Sequence, residues 1–266
     1  MVHASALRIS DTTSRMIEDP WFYVAAIPAV LIVGISKGGF AAGFGILGVP
    51  LMALVISPLQ AAAILLPILL VMDIVGLWAY RRNFDLPNLR ILIPAAALGI
   101  GIGWMTASIV REEHVALIVG LVALAFAADF WTGQRRDGVP GRSVRKGGFW
   151  GAVAGFTSFV AHAGGPPFQV YMLPQRLDKT LYVGTSVVFF WAVNLIKVPP
   201  YLALGQFDTT NLLTALVLLP LAPIGIMAGV RLHHLIPEEP FYKLCYAGVT
   251  LVGLKLVYDA AIGLSA

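Results

Sequence analysis

The sequence predicts an all-α polytopic membrane protein of about eight transmembrane helices in two related halves, each half opening with a Gly/Pro-broken or re-entrant segment. Three observations carry that prediction. Of the 266 residues, 58% are hydrophobic and 12% charged, where soluble domains carry about a quarter charged. The mean hydropathy is +0.83, and apolar runs of membrane-spanning length recur along nearly the whole chain. Finally, each half holds one apolar run interrupted by glycine and proline.

Residues 1–20 form a polar tail of mixed charge without the basic-then-apolar order of a signal peptide. The first repeat, 21–132, opens with the run Trp21 to Ser36. Its length of about 24 Å falls short of a roughly 30 Å hydrocarbon core. The run stops at Lys37-Gly38-Gly39, and a Gly-rich segment from Phe40 to Ile56 follows. Helices are expected at Gln60 to Tyr80, Leu89 to Val110 and Val115 to Trp131. Gly99, Gly101 and Gly103 are spaced for close backbone approach. Residues 133–147 form a basic linker, expected to be cytoplasmic.

The second repeat, 148–266, opens with Phe149 to His162, breaks at Gly164-Gly165-Pro166-Pro167, and resumes from Phe168 to Pro174. A helix interior disfavours Gly by about 1 kcal/mol and Pro by about 3 kcal/mol. Unwound backbone at membrane depth must be buried in protein or line a wet cavity. Helices at Thr180 to Leu204, Leu212 to Leu232 and Phe241 to Ile262 complete the set. The halves align in register: Phe84-Asp85 and Asn88-Leu89 match Phe207-Asp208 and Asn211-Leu212. Gly48-Val49-Pro50 matches Gly165-Pro166-Pro167, and Asp73 falls opposite Asn194.

Lys and Arg gather on the linker side, which places the linker in the cytoplasm. If each broken segment crosses once, both termini lie inside as well. If each is a two-limbed hairpin, the repeats are inverted and the termini lie outside.

Charged groups near a bilayer centre cost at least about 2.5–3.5 kcal/mol, so each needs a partner or a purpose. Lys37 and His162 fall at the two breaks, Asp73 lies within a helix, and Lys197 sits one turn after Asn194. The residues leave two readings open. Lys37 and Lys197 snorkel to an interface, Asp73 forms a structural ion pair and His162 is an interior histidine; or these groups build an anion site. In the second reading, two lysines and the free N–H groups of Gly38, Gly39, Gly164 and Gly165 supply positive potential. Gln169, Thr185, Ser186 and Asn194 are neutral donors, and His162 and Asp73 are able to exchange protons. His233-His234 reads as interfacial. The single cysteine, Cys245, excludes an intrachain disulfide and a cysteine metal cluster. No cofactor is expected, and basic residues confined to membrane edges exclude nucleic acid as a partner.

K-G-G-F-A-A-G-F-G-I-L-G-V-P at 37–50, Asp73, H-A-G-G-P-P-F-Q-V-Y-M-L-P-Q-R-L-D-K-T at 162–180 and T-S-V-V-F-F-W-A-V-N-L-I-K-V-P-P-Y at 185–201 resemble the TauE/SafE sulfite-exporter family, in what looks like a lysine-bearing branch. The resemblance runs from Trp21 to the end of the chain. It implies a multi-pass permease of the bacterial inner membrane, built from two related halves, that moves sulfite or other small organosulfur and organic anions.

The function expected is therefore a secondary-active anion transporter working by alternating access at two broken helices. Its partners are a small anionic substrate, the lipid bilayer, a coupling proton or sodium ion and, if the chain oligomerises, further copies of itself. The alternatives are an intramembrane enzyme using Asp73 and His162, or a passive anion channel. No G-x-x-x-x-G-K-[ST] loop, nucleophile elbow or H-E-x-x-H motif supports ATP hydrolysis or enzyme chemistry.

Overall fold

The computed structural model describes residues 16–41, 45–107, 109–133, 141–205 and 207–265. Gly43 and most of the basic linker lie outside them. The described residues hold eleven α-helices and no strand. In chain order these are α1 (Pro20–Gly39), α2 (Gly48–Met52), α3 (Pro58–Tyr80), α4 (Leu86–Thr106), α5 (Glu112–Trp131), α6 (Val144–Ala161), α7 (Gly165–Met172), α8 (Lys179–Ala203), α9 (Thr209–Leu218), α10 (Leu221–Leu235) and α11 (Glu238–Ser265).

Most helix starts are written into the sequence as polar caps. Asp19, Ser57, Asp85, Ser143, Asp178 and Asp208 each accept a backbone N–H of the first turn. Asp85 and Asp208 do so identically, accepting from the amides of Asn88 and Asn211. The cross-links between these ends sort them onto two faces. On one face the Tyr171 hydroxyl donates to Asn88 (2.7 Å) and receives the amide of Ser143 (3.4 Å). There too the Asp85 amide donates to Thr185 (2.8 Å), and Lys179 donates to the carbonyls of His233 and Ile236. On the other face the Ile17 amide donates to Thr214 (3.1 Å), Gln60 donates to Asn211 (3.2 Å), and Gly263 abuts Glu113.

It follows that both broken segments are hairpins. α6 leaves the face carrying Ser143, and α7 returns Tyr171 to that same face. α1 leaves the opposite face, and after the break α2 folds back so that Gly48 rests on Val33. The two hairpins enter from opposite faces. Glycine lets them seat on neighbouring helices: a Cβ on Gly34 would lie 2.8 Å from the Gly225 backbone, and one on Gly155 would collide with the Ala96 carbonyl. α1 thus packs along α10 and α6 along α4, while α3 meets α8 and α5 meets α11.

Several expectations need correction. By length and composition six described helices (α1, α3, α4, α5, α8 and α11) qualify as membrane spans, and α9 with α10 makes a seventh. Six to seven candidate spans are found where about eight were expected: α6, of 18 residues, opens with Arg145 and Lys146, and α7 has only 8 residues. The helix expected from Leu212 to Leu232 is bent by 45° between α9 and α10, where Pro220 and Pro223 withdraw backbone donors. The first helix ends at Gly39, within the expected Lys37-Gly38-Gly39 break; the lysine finds a buried partner and the glycines pack on α10. Gly101 meets nothing within 4 Å and Gly103 meets only the Phe159 and Phe156 side chains, so of the three only Gly99 makes the expected backbone approach, to Ala152. His233, at the linker-side face, is fully buried against Tyr80 and Phe241, whereas His234 is exposed.

Candidate functional site

Where the hairpin tips face each other, a cavity of about 60 Å³ is lined by Lys37, Gly45 and Val49 from the first hairpin, Ser158, His162, Gly164 and Gly165 from the second, and Phe190, Asn194 and Lys197 from α8. Val33, Leu65 and Leu69 close the apolar side. Each break carries one non-glycine residue in the left-handed region, Ala41 (φ 52°) and His162 (φ 49°). Such backbone costs of the order of 1–3 kcal/mol and persists where its surroundings enforce it. At the second break the enforcing contacts are visible: the Ala163 amide donates to the Thr157 carbonyl (3.0 Å), and the Thr157 hydroxyl donates to the Ala163 carbonyl (3.1 Å). Gly164 is required here, because a Cβ would sit 2.8 Å from both the Ala154 carbonyl and the Ser158 side chain.

The charged groups form one network. Lys37 Nζ lies 2.6 Å from Asp73 Oδ1, with 5% and 0% of the side chains exposed. Asn194 Nδ2 donates to Asp73 Oδ2 at 2.7 Å, so the carboxylate is held from α1 and α8 together. Lys197, 1% exposed, donates to the Ser158 carbonyl at 3.4 Å, a long contact for a buried ammonium. Neither lysine snorkels. With both protonated, the site holds two cations against one carboxylate, an excess of one positive charge at the cavity wall. His162 Nε2 lies 3.3 Å from the Tyr201 hydroxyl.

The structure brings together Lys37, Asp73, His162, Gly164, Gly165, Asn194 and Lys197, and holds five expected residues away from the cavity. Gly38 and Gly39 are used against α10, where a Cβ on Gly39 would meet the Gly229 carbonyl at 2.7 Å. The Gly38 carbonyl accepts the Tyr80 hydroxyl (2.6 Å). Thr185 ties α8 to the start of α4. Gln169 and Ser186 are buried outside the cavity lining. The bare amides expected at the second break are fewer than foreseen, since Pro166 and Pro167 carry no N–H and the Phe168 amide donates to Gly164. Ser158 was missed, one turn from His162; Tyr201, one turn from Lys197, lies outside the cavity lining and touches it only through His162.

A second, larger cavity of about 480 Å³ opens on the face opposite the linker, between α2, α5 and α11, and shares Val49 with the central one. Among the described residues no cluster of metal-ligating side chains occurs. A family model described as "Sulfite exporter TauE/SafE" matches residues 26–256. Neither curated proteins nor solved structures give a match.

Proposed function

The chain belongs to the TauE/SafE sulfite exporter family of membrane transport proteins, and from that premise we propose that it carries a small oxyanion of the sulfite class by alternating access around the central cavity. The observation that carries this reading is the meeting of both hairpin tips and α8 at one wall, with Lys37, Lys197, Asn194 and His162 facing a common space. An excess cation in a low-dielectric setting attracts an anion far more strongly than it would in water. Asp73 neutralises Lys37 when the cavity is vacant, avoiding an unpaired buried charge. A cavity of about 60 Å³, at roughly 10–15 Å³ per water-sized particle, accommodates about four to six non-hydrogen atoms. Sulfite falls in that range, whereas larger organosulfonates require the hairpins to part.

Alternating access is supported by the pairing of helices, which maps onto itself when the halves are exchanged. α1 on α10 corresponds to α6 on α4, and α3–α8 and α5–α11 are each self-paired. The matched caps at Asp85 and Asp208 point the same way. Two hairpins entering from opposite faces suit inverted repeats, which in other secondary transporters rock about a shared site. On this reading the linker is cytoplasmic in a bacterial inner membrane, and the described ends near residues 16 and 265 lie on the other side.

Purified protein in liposomes should exchange labelled sulfite across the bilayer in a saturable manner. Folded, reconstituted protein that exchanges no small oxyanion refutes the reading, and flux that does not saturate identifies a channel.

A further inference from the structure

The larger cavity has features that an anion route alone does not explain. Its wall includes Glu112 and Glu113 from α5, Lys255 and Asp259 from α11, and Ala161, the residue before His162. Glu113 pairs with Arg111 at 3.3 Å, and Asp259 pairs with Lys255. Glu112 alone of these carboxylates has no cationic partner among the described residues. Glu112 shares the wall of this cavity with Ala161, next in the chain to His162, and the Tyr201 hydroxyl lies 3.3 Å from His162 Nε2. Tyr201 is 5% exposed and its ring is fixed between Phe159 (6.0 Å) and Phe207 (6.2 Å). His162 in turn lines the central cavity.

We propose that Glu112, Tyr201 and His162 form a proton path from the face opposite the linker into the central cavity, so that the solute and a proton are bound together. This rests on the anion reading above and names its coupling ion. The step balances: as a proton from the Glu112 carboxyl reaches the Tyr201 oxygen through vestibule water, the Tyr201 proton moves to His162 Nε2. Carboxyl becomes carboxylate, the phenol is restored, and imidazole becomes imidazolium. The groups facing His162 are Tyr201 and Lys197 from α8 and, across the cavity, Lys37 from α1, with Asp73 of α3 behind that lysine. A charge on His162 beside Lys197 strengthens anion binding, and by reciprocity a bound anion holds the proton.

The test uses Tyr201→Phe, which keeps the ring packing and removes only the hydroxyl. Sulfite exchange, which needs binding and alternation but no net proton movement, should persist. Net sulfite flux driven by a pH gradient should fall about a hundredfold, the scale of a lost proton-transfer group. Glu112→Gln should behave likewise. In detergent without sulfite, the infrared signal of His162 protonation after a pH jump, identified by its loss in His162→Gln, should appear more slowly in Tyr201→Phe. Gradient-driven flux or pH-jump kinetics like the parent's in Tyr201→Phe overturns the path. Loss of exchange together with net flux also overturns it, placing Tyr201 in the binding structure. If the parent itself exchanges no sulfite, the anion reading fails, and the pH-jump measurement still decides the relay.

Discussion

Replacing Asp73 with Asn removes a charge from the centre of the molecule and leaves its shape intact. The carboxylate lies 2.6 Å from Lys37 Nζ, and neither group reaches solvent. At an effective dielectric of about 20, that separation corresponds to an attraction of about 6 kcal/mol, most of it offset by desolvation of the two ions. The substitution removes the attraction and keeps the desolvation of Lys37. Unpairing a buried ion in this way costs about 3–5 kcal/mol. At about 2–4 °C per kcal/mol for a chain of this size, thermal unfolding in detergent should begin about 6–20 °C lower. Two further measurements connect the loss to the site. Combining Asp73→Asn with Lys37→Met removes the stranded charge and should recover most of the stability. Sulfite should stabilise Asp73→Asn more than it stabilises the parent, because the anion takes the place of the missing carboxylate. At a hundredfold excess over its Kd for the variant, sulfite stabilises the variant by about 2.7 kcal/mol in total. A Tm within about 2 °C of the parent, or a double variant no more stable than the single one, refutes the buried pair as the organising interaction.

Two other predictions follow from the same geometry. Lys197→Met should weaken sulfite binding by roughly tenfold or more without lowering Tm, because the ammonium makes only one long bond to Ser158 and its loss removes an interaction worth about 1.5–3 kcal/mol with a charged ligand; unchanged affinity by calorimetry removes Lys197 from the site. Gly155→Ala should lower Tm by forcing α6 away from the Ala96 carbonyl of α4, at the roughly 1–3 kcal/mol of an overpacked contact, whereas Gly101→Ala on the open side of α4 should be neutral or stabilising.

Part of the site was legible because chemistry in an apolar sequence stands out. Lys37, Asp73, His162 and Lys197 are the charges and titratable groups that a bilayer-spanning run does not tolerate without cause, and four of the five groups that make the charged network and its ring partner were singled out with Asn194. The neutral donors could not be sorted in the same way. Thr185, Ser186 and Gln169 are as polar as Asn194, yet only Asn194 turns toward Asp73, and helical phase relative to distant neighbours decides that. Glycine was ambiguous for the same reason: Gly38 and Gly164 look alike in sequence, but one serves the α1–α10 contact and the other the cavity wall.

By itself the sequence determined that this is a helical membrane protein, where most helices begin, that two apolar runs are broken, and which family pattern they follow. Those properties depend on composition, caps and backbone chemistry within a few residues of one another. Only the tertiary structure decided that each broken segment turns back toward the face it left, that the two enter from opposite faces, and that α9 and α10 bend apart. It also decided that Lys37 of α1 and Asp73 of α3 meet, and that Tyr201 touches His162. The physical reason is that a break frees the chain to turn without fixing the direction it takes. Direction comes from which glycine stripe meets which carbonyl row across the bundle, and which cation can bury itself only beside a particular carboxylate, contacts formed between residues far apart in the chain.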